Sequence, residues 1–388
     1  MPVYDAGDMI DARNRKKRRQ KLIRFFLILL LASVCIGLYK TKDMWLAKIR
    51  GIGKQYSTIV NPGTLAEGNF PILISSEENF QIDHTDDCLV VLTDVQLFFY
   101  TSDGSLLKKR QHGFNNPVIR TSSGKVLLYE NGGKNFCVEN DEKTIYSKSF
   151  ENNILFARMS SEGYVAVVTT SPDYECEMYV YDKKGTLVYE RKCVERICDV
   201  SFTNESSQCV ISCIDAEKGS IVTFVQCFDL KGSDSLWKSP SINTLGLDIY
   251  GFSDGAFILG INACSYVSSD GQISSYYKYD GELAGGSSEN GKSAVAVNND
   301  DRRKYSLTLF DGGGTEPVVI NMETPVSDVI VFDGLAYVMC QEEILAYEFN
   351  GTLRSTAVIS DSYTGFARSS KYIFLRGHSQ IDRIDYES

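Results

Sequence analysis

One unit recurs along this chain and limits what it can fold into: an aromatic strand, a turn ending in glycine, and a second, more polar strand. It stands as LFFYTSDGSLLKKR around Gly104, MYVYDKKGTLVYER around Gly185 and VQCFDLKGSDSLWK around Gly232. It returns as CSYVSSDGQISSYYK around Gly271, LTLFDGGGTEPVVI around Gly312 and LAYEFNGTLRSTAV around Gly351. Asp-Gly or Asn-Gly between two such runs supplies the positive φ that a tight hairpin requires. From Phe70 onward no helical period is present. Short runs rich in Val, Ile, Tyr, Phe and Thr alternate with Gly, Asn, Asp and Ser clusters, which is the pattern of strands and turns.

The spacing of the unit sets the architecture. Gly104 and Gly351 are 247 residues apart, and FCVENDEKTIYSK fills the one long gap with a turn at Asn140-Asp141 that lacks glycine. Six intervals then average about 41 residues, and two further strand-like runs precede each hairpin, such as ILFARM and YVAVVTT before Gly185. Four strands in about 40 residues is the size of a β-propeller blade. After Val358 the chain holds only three strands, TGFARSS, KYIFLRG and QIDRIDY. The missing fourth is FPILIS, residues 70–75, placed as the outer strand of the last blade so that the two ends close the ring and leave no open edge. Residues 70–388 divided by eight give about 40 per blade, and by seven about 46. The fold class is therefore all-β, a single propeller of eight blades, with seven as the alternative.

YDKKGTLVYER and FDLKGSDSLWK resemble the repeats of quinoprotein-type (PQQ-like) propellers, which run from an aspartate through a turn glycine to a closing aromatic. As a whole the chain resembles a bacterial family with one N-terminal transmembrane helix and an exported propeller. That resemblance implies fold and topology. It brings no activity and no catalytic residue to carry over, and a bound quinone is not implied by two short repeats.

The N-terminal region reads differently. Between Arg24 and Lys40 lie 15 residues without charge, and with Leu22 and Ile23 the segment 22–39 reaches about 18, the low end for a spanning helix with Arg24 snorkelling. Eight Lys/Arg fall in residues 13–24, so the positive-inside rule leaves the tail 1–21 in the cytoplasm and exports the rest. A cleaved signal peptide is the competing reading, with a buried soluble helix behind it. Against cleavage stand a long n-region containing Asp5, Asp8 and Asp11 and the lack of a small-x-small site. Residues 40–69 read as a juxtamembrane connector: Trp45 suits the interface, and NPGTLAEGN marks a domain boundary near residue 69. The net charge of -10 then averages two environments, +8 over residues 1–50 and -18 over the remainder. A domain of -18 repels phosphate, which excludes nucleic acid as its partner.

No catalytic, cofactor-binding or metal-ligating residue is assigned from the sequence. Ten cysteines lie outside the anchor (Cys88, Cys137, Cys176, Cys193, Cys198, Cys209, Cys213, Cys227, Cys264 and Cys340), without CxxC or zinc spacing. Most occupy positions where a strand calls for a small apolar residue, so buried free thiols are expected, with one or two disulfides in the 193–227 cluster as the alternative. His84, His112 and His378 stand alone in loop-like sequence. HTDD (84–87) and NNDDRR (298–303) gather oxygen ligands but lack the acid spacing and glycine of a calcium loop. FDGGGTEP lacks the Lys-Ser/Thr of a phosphate loop. The 22 tyrosines fit either strand packing or a glycan-binding face. The expected function is a membrane-anchored, extracytoplasmic binding or scaffolding propeller that contacts the lipid bilayer through residues 22–39 and an envelope protein or glycan through its ring. The alternatives are an extracytoplasmic hydrolase or lyase with Asp/Glu chemistry in the funnel, and a ligand sensor.

Overall fold

Five of the second strands of the repeat read CLVVLT, KVLLYE, VAVVT, GAFILG and LAYVMC, apolar on both faces, whereas outer strands such as LLKKRQ and TIYSKS alternate. A strand buried on both faces lies between two packed sheets, and a half-exposed one lies at a rim. The computed structural model bears this out in a propeller; it describes residues 59–60, 69–75, 79–85, 88–203, 206–232 and 234–385. The expected cytoplasmic tail and anchor, and all of the connector but residues 59–60 and 69, lie outside the described residues. No helix occurs among those described.

Eight antiparallel sheets of four strands form the ring. Blade 1 comprises Phe80–His84, Cys88–Thr93, Gln96–Thr101 and Leu106–Gln111; blade 2 comprises Pro117–Ser122, Lys125–Glu130, Asn135–Glu139 and Thr144–Ser149. Blades 3 and 4 begin at the inner strands Ile154–Met159 and Arg196–Thr203, blades 5 and 6 at Gly246–Phe252 and Glu282–Glu289, and blade 7 at Val326–Phe332. Blade 8 has three strands from the C-terminus, Gly365–Arg368, Tyr372–Arg376 and Gln380–Asp385. Its fourth is Ile72–Leu73, which pairs antiparallel with Gln380 and Ile381. The ring is closed by joining the two ends, as the strand count requires. Ile59–Val60, inside the segment read as the connector, adds a parallel fifth strand to the outer edge of blade 7.

Each of the eight blade interfaces holds its own apolar cluster. Leu92, Phe99 and Leu128 bridge blades 1 and 2, Cys213 and Phe228 pack on Val180 between blades 3 and 4, and Leu345 packs on Leu309 between blades 6 and 7. The closing interface uses Ile72 and Ile381 of blade 8 against Leu89 and Val91 of blade 1. There Arg383 hydrogen-bonds the Ser102 carbonyl and stacks 4.3 Å over the Tyr372 ring. A cluster at every interface, the closing one included, makes the ring continuous.

The expected hairpins join the third and fourth strands of blades 1 to 7. Gly104, Gly185, Gly271, Gly312 and Gly351 all have positive φ, between 83° and 105°. The side chain of an Asx residue is the more constant element. Asp182 Oδ1 accepts the Lys184 and Thr186 N–H groups at 2.9 and 2.8 Å, and Asn350 Oδ1 that of Thr352 at 2.8 Å. Asn140 Oδ1 accepts those of Glu142 and Lys143, which is how blade 2 turns without glycine. Blade 4 departs from the common length: its strands Gln208–Glu217 and Ser220–Asp229 have ten residues each, and the tip 215–221 is exposed.

Candidate functional site

The inner strands surround the channel, and no backbone ladder joins one to the next. Side chains do this instead, at repeat-equivalent positions. Four residues before the end of the inner strand or its turn, Gln81, Asp199 and Asp328 each accept the N–H of the next blade: Ile119 at 3.4 Å, Ile249 at 3.0 Å, and Phe366. Gln81 also donates to the Pro117 carbonyl at 2.9 Å. Two residues further on, Ser201 and Ser287 accept from Gly251 and Val331, both at 3.0 Å. Burial raises the Asp199 and Asp328 carboxyls above the ordinary aspartate value, although Arg158 pulls Asp199 the other way.

Between the inner strands of blades 3 to 6 the channel widens into a cavity of about 860 Å³. Its charged centre is Arg158, whose Nε lies 2.6 Å from Asp199 Oδ1 and whose Nη2 lies 2.9 Å from Asp248 Oδ1. Three successive blades thus meet at one guanidinium. The Asp199 side chain is 3% exposed and the Asp248 side chain 41%, so the first carboxylate depends on protein donors and the second retains water. Burial works against the charge on Arg158, but Asp199 and then Asp248 outweigh it and hold the guanidinium protonated. Burial, followed by the same two carboxylates, raises the Tyr250 phenol, which donates to the Gly286 carbonyl at 3.4 Å. Hydroxyls of Ser160, Ser201, Thr203, Ser206, Ser253 and Ser288 line the remainder, with Asp254, Glu289 and the Lys292–Asp311 pair toward the mouth.

None of these residues was singled out from the sequence. The signal was there: an aspartate sits at one position of three inner strands, in ICDVSF, GLDIYGF and VSDVIVF, centred on Asp199, Asp248 and Asp328. Periodic apolar residues around a single acid read as an exposed strand position, and only the next blade reveals the partner.

The residues that sequence reasoning did weigh fall elsewhere. The ten cysteines from Cys88 to Cys340 form no disulfide, and all are buried except the partly exposed Cys198. His112 joins the Thr93 carbonyl at 3.0 Å and accepts the Phe114 N–H at 3.1 Å, and His84 stacks edge-on to Phe332. In NNDDRR, Asn298 bridges to the Val326 N–H and carbonyl of blade 7, while Arg302 and Lys304 bind Asp280. Asp86 and Asp87 of HTDD lie outside the described residues. No group of three metal-ligating side chains is gathered among the described residues. Of the described tyrosines only Tyr174 and Tyr276 are exposed.

A family model described as a family of unknown function (DUF5711) matches residues 72–385. No curated protein matches the sequence significantly. Among solved structures the fold is similar to that of Sqt1 from Saccharomyces cerevisiae, with a TM-score of 0.63 and 9% identity over 85% of this chain and 100% of that one. It is similar also to the computationally designed Ika8 protein, with a TM-score of 0.62 and 11% identity over 83% of this chain and 98% of that one. BamB from Moraxella catarrhalis aligns with a TM-score of 0.55 and 10% identity over 83% of this chain and 99% of that one. At these identities the likeness is one of fold.

Proposed function

Since this chain belongs to the DUF5711 family, a family of unknown function, we propose its role from its own ring: a membrane-anchored, extracytoplasmic binding or scaffolding propeller whose partner enters the funnel of blades 3 to 6. One observation carries the reading. The funnel offers about 860 Å³ lined by hydroxyls, with one guanidinium shared between two carboxylates at its centre. Such a surface recognises a polar partner by shape and hydrogen bonds. The partner is an envelope protein or a cell-wall polymer. The basic tail, the apolar segment 22–39 and the acidic remainder of the sequence support the topology.

The test is capture. Full-length protein, extracted in detergent and immobilised, retains a reproducible partner from envelope extracts, and Asp254→Lys at the mouth weakens the retention. Finding no such partner counts against the proposal. Protease treatment of intact cells checks the topology, since resistance of residues 70–388 overturns export.

A second reading, a hydrolase or lyase, rests on the raised Asp199 carboxyl beside the more exposed Asp248 in the same cavity. Arg158 binds both carboxylates at once, which favours binding over proton transfer. Loss of turnover of an envelope glycan in Asp248→Asn, with partner retention unchanged, selects the enzyme.

A further inference from the structure

Blade 3 carries a feature that the funnel does not use. Its third strand, Cys176–Tyr181, begins with a cysteine and its fourth, Leu187–Cys193, ends with one, and the two are cross-strand partners in the ladder. Among the described residues they are the only cysteines paired in this way. Cys209 faces Phe202 and Phe228, Cys213 faces Ile197 and Phe224, and Cys227 faces Val210 and Trp237. Directly opposed strand residues hold their Cβ atoms about 4.5–5.5 Å apart, against about 3.5–4.5 Å across a disulfide, so a small closing movement joins the two.

Their surroundings differentiate the two thiols. The Cys176 S–H donates to the Glu195 carbonyl at 3.5 Å and the Cys193 S–H to the Arg191 carbonyl at 3.7 Å, while the neighbouring Cys193 lowers the Cys176 thiol below the ordinary cysteine value despite burial and Cys176 raises that of Cys193. Cys176 is therefore the sulfur that ionises first, and Cys193 retains its proton. Both are buried, at 0% and 1% exposure, yet they lie where the hairpin meets solvent. Tyr174 and Glu175 precede one and Val194 follows the other, all exposed, and the Glu175 N–H to Cys193 carbonyl bond at 3.0 Å ties the end of the ladder. The pair closes the edge of the apolar cluster between blades 3 and 4, and opening that last rung exposes it at lower cost than unfolding the domain.

We infer that Cys176 and Cys193 are a dithiol that closes to a disulfide by exchange with an external disulfide, small or protein-borne. The Cys176 thiolate attacks one sulfur of the external disulfide, forming a mixed disulfide and expelling the first thiolate, which takes up a proton. Cys193 gives its proton to solvent and attacks the Cys176 sulfur, expelling the second thiolate, which is protonated in turn. Two electrons pass from the dithiol to the external disulfide, and two thiols leave. The step is independent of what occupies the funnel.

Full-length protein in detergent is equilibrated with glutathione buffers of increasing oxidation, quenched with acid, alkylated and cleaved after Lys and Arg. The cysteines then separate by peptide: Cys176 in 159–183, Cys193 in 193–196, Cys198, Cys209 and Cys213 in 197–218, and Cys227 in 219–231. The expected product is 159–183 joined to 193–196 with the loss of two hydrogens, while the remaining thiols of the ring stay open to alkylation after denaturation. Peptide 193–196 joined to 197–218 or 219–231 overturns the inference. So does a dithiol that persists in buffers where the urea-unfolded chain oxidises. The measurement uses the unaltered protein, so no variant has to fold.

Discussion

Replacing Arg158 by Met keeps the aliphatic stem and removes the charge that joins three blades. The two carboxylates it leaves behind are not equivalent. Asp248, with its side chain 41% exposed, regains water, so its loss is small. Asp199 is 3% exposed, loses the 2.6 Å bond to Oδ1 and keeps only the Ile249 N–H on Oδ2. Stranding one buried carboxylate in this way costs about 3–5 kcal/mol. With a urea m-value of about 3 kcal/mol/M the unfolding midpoint falls by about 1.3 M.

The pH dependence identifies the cause. Burial raises the folded Asp199 carboxyl above its unfolded value, and losing Arg158 raises it further. A raised acid adds no penalty below its unfolded pKa, because it is protonated in both states, and its full penalty once pH has risen through the folded pKa. The deficit of Arg158→Met relative to wild type at the same pH is therefore largest at pH 8 and shrinks toward pH 5, by about 1.4 kcal/mol for each unit below the folded pKa. Adding Asp199→Asn restores most of the stability at pH 8, because a neutral amide needs no counter-charge. Urea titrations of the three variants at both pH values decide the matter. A single variant within about 0.5 kcal/mol of wild type, typical of an inert surface change, or a deficit independent of pH, refutes the reasoning.

Gly185 and Gly219 share nearly the same backbone, φ +83° and +84°, but a Cβ on Gly185 lies 2.6 Å from the Tyr146 ring whereas one on Gly219 meets nothing within 4 Å. Gly219→Ala should cost about 1–2 kcal/mol from the left-handed backbone alone, and Gly185→Ala measurably more in the same urea titration; equal losses would mean that the ring contact is irrelevant. Asn298→Ala removes the 2.8 and 3.2 Å bonds to Val326 that join blades 6 and 7 and should cost about 2 kcal/mol, read from the unfolding midpoint. The Cys198 thiol, partly exposed in this structure, is pushed up to about 12 by burial and then by Asp199. Native alkylation of Cys198 should be negligible at pH 7 and rise about tenfold per pH unit, since the thiolate is the nucleophile; rapid labelling at pH 7 by peptide mass contradicts that environment.

The ring was legible because its information is local. An Asx side chain closes its own turn within four residues, as Asp182 and Asn350 do, and a strand buried on both faces is apolar at every position, as CLVVLT is. Closure followed by counting, since a blade with three strands at one end and an unpaired strand at the other leave one place for Ile72–Leu73. The funnel was not legible because its partners are remote. Arg158 and Asp199 are 41 residues apart, and Asp199 and the Ile249 N–H 50. Whether an aspartate in an inner strand is a surface charge or a buried acceptor depends on the backbone of the following blade, which no local pattern contains.

The exceptional aspartate lies in the wall of the cavity. Gln81, Asp199 and Asp328 each reach the inner strand of the next blade and draw it close. Asp248 holds the same position in blade 5, but it meets Arg158 of blade 3 instead. In blade 6 the equivalent position is Gly285, and the link onward is made two residues later, where Ser287 accepts the Val331 N–H at 3.0 Å. Between blades 5 and 6 the Tyr250 phenol reaches the Gly286 carbonyl at 3.4 Å, with no carboxylate between the two inner strands. The cavity falls beside the carboxylate that kept its water, which makes Asp248 the charged group of the Arg158 triad best placed to meet whatever enters.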